Sequence, residues 1–235
     1  MHISAVERLG YTFSTAKSEI KLQTHPRKLY FINRSKNLEI LYREGEHQNK
    51  ALIKSGALPN FHLDTYGNMM RKNQHYTINE LGFGFIGKSI ALTLAKDKDG
   101  LKNFQFKGKV KHNEYHCHVI QYENPNYNYE EYVANGKETI TSIASKLIVN
   151  DYLVRYNNDL LNEFGYLKQG KRLLVPNLYC KKAILFIDEK LMLPVFVSLY
   201  DNMGLFESYD YTKIIINKPI PEEELSKDYK GYRFN

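Results

Sequence analysis

Apolar and polar residues alternate with a period of two along much of this chain, the pattern of half-buried strands. Lys28–Asn33 (KLYFIN) and Leu38–Arg43 (LEILYR) are two such runs, joined by the polar turn Asn33-Arg34-Ser35-Lys36-Asn37. Residues 11–23 alternate ahead of them, and residues 50–54 (KALIK) follow as a further short strand. Residues 104–110 and 114–121 pair around Lys111-His112-Asn113. Lys182–Asp188 (KAILFID), residues 194–200 (PVFVSLY) and residues 205–217 read as a meander, turning at Asp188-Glu189-Lys190 and at Asp201-Asn202-Met203-Gly204. Each strand has one apolar face and one mixed face, which predicts an antiparallel sheet rather than a parallel one.

Other stretches depart from that period. Residues 2–10 (HISAVERLG) read as the last turns of a helix closed by Gly10. Residues 55–74 are irregular, with Gly56, Pro59 and Gly67. Thr77-Ile78-Asn79-Glu80 spells a capping box, and Ile78, Leu81, Phe85, Ile86, Ile90 and Leu94 then recur at helical spacing as far as Lys96. This predicts the longest helix of the chain. The tail from Pro219 is acidic, then aromatic, and is expected to dock through Tyr229, Tyr232 and Phe234.

Residues 131–177 form the clearest local unit. Val133 ends a short strand, Gly136 turns, and Thr139 caps a helix with Ile140, Ile143, Ala144 and Leu147 on one face. Asn150 starts a second helix through Leu153, Val154 and Tyr156, which Asn157-Asn158-Asp159 closes. Gly170 turns, and Leu173-Leu174-Val175 return as a strand before Pro176. Strands of matching alternation lie on both sides. The expected architecture is therefore α+β: one antiparallel sheet packed on helices, made by residues 1–128 and 178–235, with a βααβ module inserted at 129–177.

Composition narrows the function. A chain of 235 residues, 43% hydrophobic, is long enough to bury a substantial core. Its 19 Tyr and 12 Phe suit strands with half-wet faces. The net charge of +7 comes from dispersed lysines, without a basic run or an aromatic RNA-binding signature, so nucleic acid is not an expected partner. No apolar run approaches the ~18 residues of a membrane span. The first residues lack the features of a signal peptide, which fits a cytosolic protein or a mature form with its export signal removed. Cys117 and Cys180 lie in apolar, strand-like surroundings and read as two buried thiols, with a disulfide left open.

The chemistry-bearing residues are sparse. Gly82-Phe83-Gly84-Phe85-Ile86-Gly87 spells G-x-G-x-x-G, but it falls inside the expected helix of an antiparallel protein, where the glycines let a helix lie close on a sheet. His116 and His118 share a strand face with Cys117 opposite, too few ligands for zinc. Asp64, Glu80, Asp188 and Asp201 fall at turns and caps. His75, His116 and His118 are the members left for an enzyme site. No enzyme, cofactor or metal is expected.

Two resemblances add to this reading. The module resembles a LysM domain through Val133, Gly136, Thr139-Ile140, Ile143-Ala144, Val149, Leu153, Asn157, Leu167, Gly170 and Val175-Pro176. The likeness implies contact with an N-acetylglucosamine polymer such as peptidoglycan at Glu138, Thr139, Ile140, Asn157, Asn158 and Asp159. Its first loop departs from the pattern, with Lys137 inserted and Glu138 in place of an aspartate. A module kept for packing or protein contact is the alternative.

The remainder resembles a family of uncharacterised bacterial envelope proteins related to the LolA and LppX-like lipoprotein carriers. The likeness lies in Pro26-Arg27-Lys28-Leu29-Tyr30, residues 39–45 (EILYREG), residues 73–78 (NQHYTI) running into Gly82-Phe83, Leu193-Pro194, Tyr200-Asp201 and residues 204–207 (GLFE). It implies a curved half-barrel closed by helices around an apolar cavity, a lipid or lipoprotein acyl chain as ligand, and a place in the periplasm or cell envelope. A structural or interaction protein of the envelope with no small-molecule ligand is the alternative.

Overall fold

Strand formation begins at the second residue. In the computed structural model, which describes residues 1–97 and 99–234, His2–Leu9 is strand β1 rather than the end of a helix. It turns through Gly10-Tyr11 into β2 (Thr12–Gln23), with Leu9 opposite Thr12. Gly10 has φ +64°, which the first position of a tight hairpin turn requires as much as a helix C-cap does. Gly10 thus takes the left-handed conformation in a hairpin turn and not at a helix end. Lys98 and Asn235 lie outside the described residues.

Four further strands follow: β3 (Lys28–Asn33), β4 (Leu38–Arg43), β5 (Lys50–Ser55) and β6 (Phe61–Asp64). The stretch expected to be irregular thus holds β6 and a single-turn helix, α1 (Asn68–Arg71). After helix α2 (Phe83–Lys96) come β7 (Phe104–His112) and β8 (Tyr115–Glu123). The inserted module contributes β9 (Tyr129–Val133), α3 (Ile140–Leu147), α4 (Asp151–Asn157) and β10 (Arg172–Pro176). The chain ends with β11 (Lys182–Asp188), β12 (Pro194–Asp201), β13 (Gly204–Thr212) and the tail.

Eleven strands make one antiparallel sheet in the order β6-β5-β4-β3-β2-β1-β13-β12-β11-β8-β7. The first and last strands pair in its middle, and β8 pairs with β11 across the point where the module leaves. The sheet is rolled but open. Side chains of β4 and β7 line one cavity, although eight inter-strand steps, about 38 Å if flat, separate them. On the β7 edge, Lys107, Lys109 and Lys111 are all exposed or half-exposed, and a bulge lies between Phe106 and Lys109. Both devices discourage another strand from adding there.

The inner face carries the main core, including Ile3, Ile20, Leu29, Ile40, Ile53, Leu185 and Val197. Phe83, Phe85, Ile86 and Ile90 of α2 pack against it. On the outer face Tyr30, Ile32 and Leu41 are covered by the tail, with Leu225 and Phe234 buried and the Tyr232 ring stacked 3.6 Å from Tyr30. Tyr229 in turn packs on Tyr232 at 4.9 Å. Cys117 and Cys180 are free and buried in different clusters, Cys180 in the inner core and Cys117 beside Tyr115 and Val195.

The module has its own two-stranded sheet of β9 and β10 and its own core around Ile143, Val154 and Leu173. Thr139 and Ser142 form a reciprocal cap for α3, and the Asn150 side chain accepts from the Tyr152 and Leu153 amides at the start of α4. Two backbone bonds close its base, Asn124 N–H to Lys181 O and Asn177 N–H to Asn128 O, both 2.9 Å.

The longest helix starts five residues later than its pattern suggests. Glu80 accepts from the Thr77 amide at 2.7 Å and Thr77 Oγ1 from the Asn79 amide at 3.3 Å, so these side chains close a turn instead of a helix. Gly82 then adopts φ +107° and ψ 166°, a region open in practice to glycine alone, and becomes the N-cap. A Cβ there would sit 2.6 Å from Leu22 Cδ2, whereas Gly84 and Gly87 face open space. Only the first of the three glycines brings the helix close to the sheet. Gly82→Ala is therefore expected to cost about 1–3 kcal/mol in chemical denaturation. Gly84→Ala and Gly87→Ala should each gain about 0.5–1 kcal/mol from helix propensity. Equal effects at all three positions would contradict this assignment.

Candidate functional site

Between the inner face of the sheet and α2 lies a cavity of about 250 Å³. β1 supplies Ile3, Ala5 and Glu7 to its wall, and β2 supplies Ala16, Ser18 and Ile20. Glu207, Tyr209 and Tyr211 come from β13, and Phe85, Ile86 and Ile90 from α2. The period-two alternation of each strand sends these side chains to one face. Ser89 and Thr93 of α2 also line it, but their hydroxyls donate back to the Phe85 and Ser89 carbonyls at 3.0 and 2.8 Å. The wall they present is largely apolar. Met69, 70% exposed, and exposed Lys36 mark the side on which the cavity meets solvent.

One end of the cavity is polar. Glu7 and Glu207 are direct partners in the β1–β13 ladder, so two carboxylates stand side by side on the inner face. Like charges in that position repel. The structure relieves this with His75, whose Nδ1 lies 2.6 Å from Glu207 Oε2 in a fully buried pair. His75 Nε2 lies 2.9 Å from the Arg8 carbonyl, which only accepts, so Nε2 carries a hydrogen. A second proton is then shared between Nδ1 and the carboxylate. Tyr76 donates to the other Glu207 oxygen, and Tyr179 donates to Tyr76 across 2.5 Å. Tyr209 donates to Glu7 Oε1 at 2.6 Å. Burial first, and the nearby Glu207 second, push the hydroxyls of Tyr76, Tyr179 and Tyr209 well above the ordinary phenol range, so all three remain donors.

The module reaches this network from behind. The Tyr152 and Phe206 rings lie 4.8 and 4.1 Å from His75. Tyr152 Oη accepts from the Gly10 amide at 2.9 Å, and Asn150 Nδ2 donates to His75 O at 3.4 Å. Asp151 pairs with Arg71 of α1 and with Arg155 of its own helix. Helix α4 thus holds the 71–76 segment that roofs the cavity.

The residues implicated by the LysM resemblance fall into two groups. Glu138 accepts from Tyr132 Oη at 2.7 Å and from the Asn135 amide at 3.2 Å. Thr139 is occupied as a cap, and the Ile140 side chain is 1% exposed inside the module core. Asn157 Nδ2 donates to Leu153 O, and Asn158 exchanges two bonds with the Leu174 backbone. Asp159 is exposed at φ +56°. Among the described residues no hydrogen bond joins one group to the other; the first loop is tied instead to the later one by Leu167 N–H to Glu138 O at 2.9 Å.

The three histidines considered for catalysis do not converge on one site: His116 and His118 both lie near Glu189, away from His75. His75 is buried in the network above, His116 is exposed, and His118 lies 3.8 Å from Glu189. Asp188 and Asp201 cap separate turns, accepting from the Leu191 and Met203 amides. Among the described residues no group of three or more His, Cys, Asp and Glu side chains is placed to hold a metal ion. Sequence reasoning overlooked Glu7 and Glu207. A signal existed, because each is a charge in phase with an apolar strand face (Ile3, Ala5, Glu7; Glu207, Tyr209, Tyr211). Reading residues 2–10 as helix hid the first.

The shared proton has a consequence for stability. Burial opposes charge on His75, but the Glu207 hydrogen bond and negative charge outweigh it and hold the imidazole above its usual pKa. The contribution of the His75 proton is then fully present below the unfolded histidine value of about 6.5 and is lost as pH rises through the folded value. The melting temperature should fall between pH 6 and pH 9 more steeply in the wild type than in Glu207→Gln, whose amide does not titrate. Parallel pH profiles for the two proteins would remove the shared proton from the account.

Comparison with known proteins places the chain. No curated protein matches it. Among solved structures it is similar to the MucA/MucB complex of Pseudomonas aeruginosa, at 10% identity over 96% of this chain and 54% of that one, TM-score 0.35. The chain thus spans about half the length of that protein. It is also similar to the lipoprotein LppX of Mycobacterium tuberculosis, at 10% identity over 93% and 87% of the two chains, TM-score 0.33. A putative outer membrane lipoprotein-sorting protein domain from Vibrio parahaemolyticus matches at 10% identity over 96% and 88%, TM-score 0.32. Residues 2–155, well over half of the sequence and ending within α4, match the family described as "Protein of unknown function (DUF1571)", and the chain belongs to that family.

Proposed function

We propose that this protein is a non-catalytic binding protein of the bacterial cell envelope that holds one apolar chain, of the acyl type found in lipids and lipoproteins, in the cavity under α2. The cavity itself carries this reading. Its wall is built from inward-facing strand positions and one helix face, and the polar groups on it are mostly bonded to one another or to backbone. An apolar cavity of about 150 Å³ takes benzene, so about 250 Å³ corresponds to a chain of about ten carbons. Exposed Met69 at the rim leaves a flexible apolar side chain where such a chain would enter.

The neutral probe 1-decanol should raise the melting temperature of the wild type in proportion to the logarithm of its concentration above Kd. Ala16→Phe fills the cavity from β2 and should abolish that rise while the protein remains folded. An unchanged melting temperature in the wild type at saturating decanol would refute the reading.

The βααβ module is the second part of the proposal, contacting an N-acetylglucosamine polymer through Glu138, Thr139 and Ile140 and through Asn157, Asn158 and Asp159. Its support is the LysM-like order of strands and capped helices. With the Ile140 side chain buried, its part in any contact falls to the backbone. Wild-type protein should co-sediment with peptidoglycan, and Asn157→Ala or Asp159→Ala should weaken this several-fold. Failure of the wild type to sediment discards the glycan role and leaves the cavity role standing.

A further inference from the structure

Four charged side chains line the cavity: Glu7, Lys36, Glu80 and Glu207. Three of them are accounted for. Glu207 shares the proton of His75. Glu80 accepts from the Thr77 amide and lies in the field of the buried guanidinium groups of Arg71 and Arg155. Lys36 stands in solvent at the rim.

Glu7 is different. It is half-buried on the inner face of β1, and among the described residues only Tyr209 donates to it, through Oε1. Among the described residues no cation lies within ion-pair distance of it; the neighbouring Arg8 points to the other face of the strand and pairs with Asp201. The nearest carboxyl, Glu207, is its own ladder partner. An apolar chain entering the cavity would strip the remaining water from Glu7 and leave a carboxylate whose neighbouring cation, His75, is already paired with Glu207, which is costly. A ligand that brings a positive, hydrogen-bond-donating group to that point would remove the cost and gain a charge-assisted bond. A ligand ending in a carboxylate would add a third acid beside two.

Resting on the apolar-chain reading above, we propose that the cavity selects an amphiphile with a protonated amine at one end of its chain, the ammonium group seated on Glu7 beside the Tyr209 hydroxyl. This is a class of ligand set by charge at the polar end of the cavity, in a protein whose surface, at net +7, would by itself attract the opposite class.

The test compares three ten-carbon probes by calorimetry at pH 7: decylamine, 1-decanol and decanoate. The wild type should bind decylamine at least about tenfold more tightly than decanoate, as one charge-assisted hydrogen bond warrants. Glu7→Gln keeps an acceptor for Tyr209 and removes the charge. A cooperative melting transition in the absence of ligand shows that it is folded, while its preference for decylamine over decanoate falls to about twofold or less. Lysophosphatidylethanolamine with a ten-carbon chain separates the sources of the amine. Binding of decylamine alone assigns a free alkylamine, and binding of both assigns an amine-headed lipid. Equal affinity of the wild type for decylamine and decanoate, or an undiminished preference in Glu7→Gln, overturns the proposal. If none of the probes binds, the apolar-chain reading fails and this one falls with it.

Discussion

The pairing of β1 with β13 is the constraint on which the rest of the structure depends. It joins the two ends of the chain in the middle of the sheet, so that strands early and late in sequence share one inner face. Without that ladder the chain would make two smaller sheets, and neither would curl around α2. Contacts this distant in sequence carry a large closure entropy, which grows only slowly with the length of the loop. The β8–β11 ladder uses the same tolerance to leave a whole module outside the sheet without breaking it.

That ladder also creates an electrostatic problem on the inner face. Its register sets Glu7 opposite Glu207, on a face filled mostly by aliphatic and aromatic side chains. A carboxylate pair with one member fully buried is tolerable only when charge is removed or compensated. His75 supplies a proton to one member, and three tyrosines supply donors. The same groups are therefore both a structural repair and the polar end of the cavity. His75 is also where the module meets the sheet, through Tyr152 and Asn150. A buried side chain on the loop before α2 thus links the inserted unit, the roof of the cavity and its polar end.

The local units were legible in the sequence wherever one period and one boundary signal agreed. β3 and β4 appear with the bounds their alternation implies, and the module shows its two helices with the caps Thr139 and Asn150. The tail docks through the aromatic residues that stood out in it. Errors came where one signal serves two elements. Gly10 suits a helix end and a hairpin turn alike, and Thr77 and Glu80 form the same hydrogen bonds in a free turn as in a capped helix. Single-turn α1 and four-residue β6 are too short to show a period at all.

By itself, the sequence determined that this is an antiparallel sheet protein with one long helix and a βααβ insertion, because side-chain alternation, helical spacing and caps are properties of neighbours along the chain. The cavity and its chemistry were decided by tertiary structure alone. Glu7 and Glu207 stand two hundred residues apart, and nothing local states that they face each other. His75, singled out in the sequence only as a candidate for catalysis, becomes the partner of Glu207 only when the segment before α2 is laid across the sheet. Strand order and register place these charges, and both are set by the summed packing of the whole inner face, which no single segment encodes.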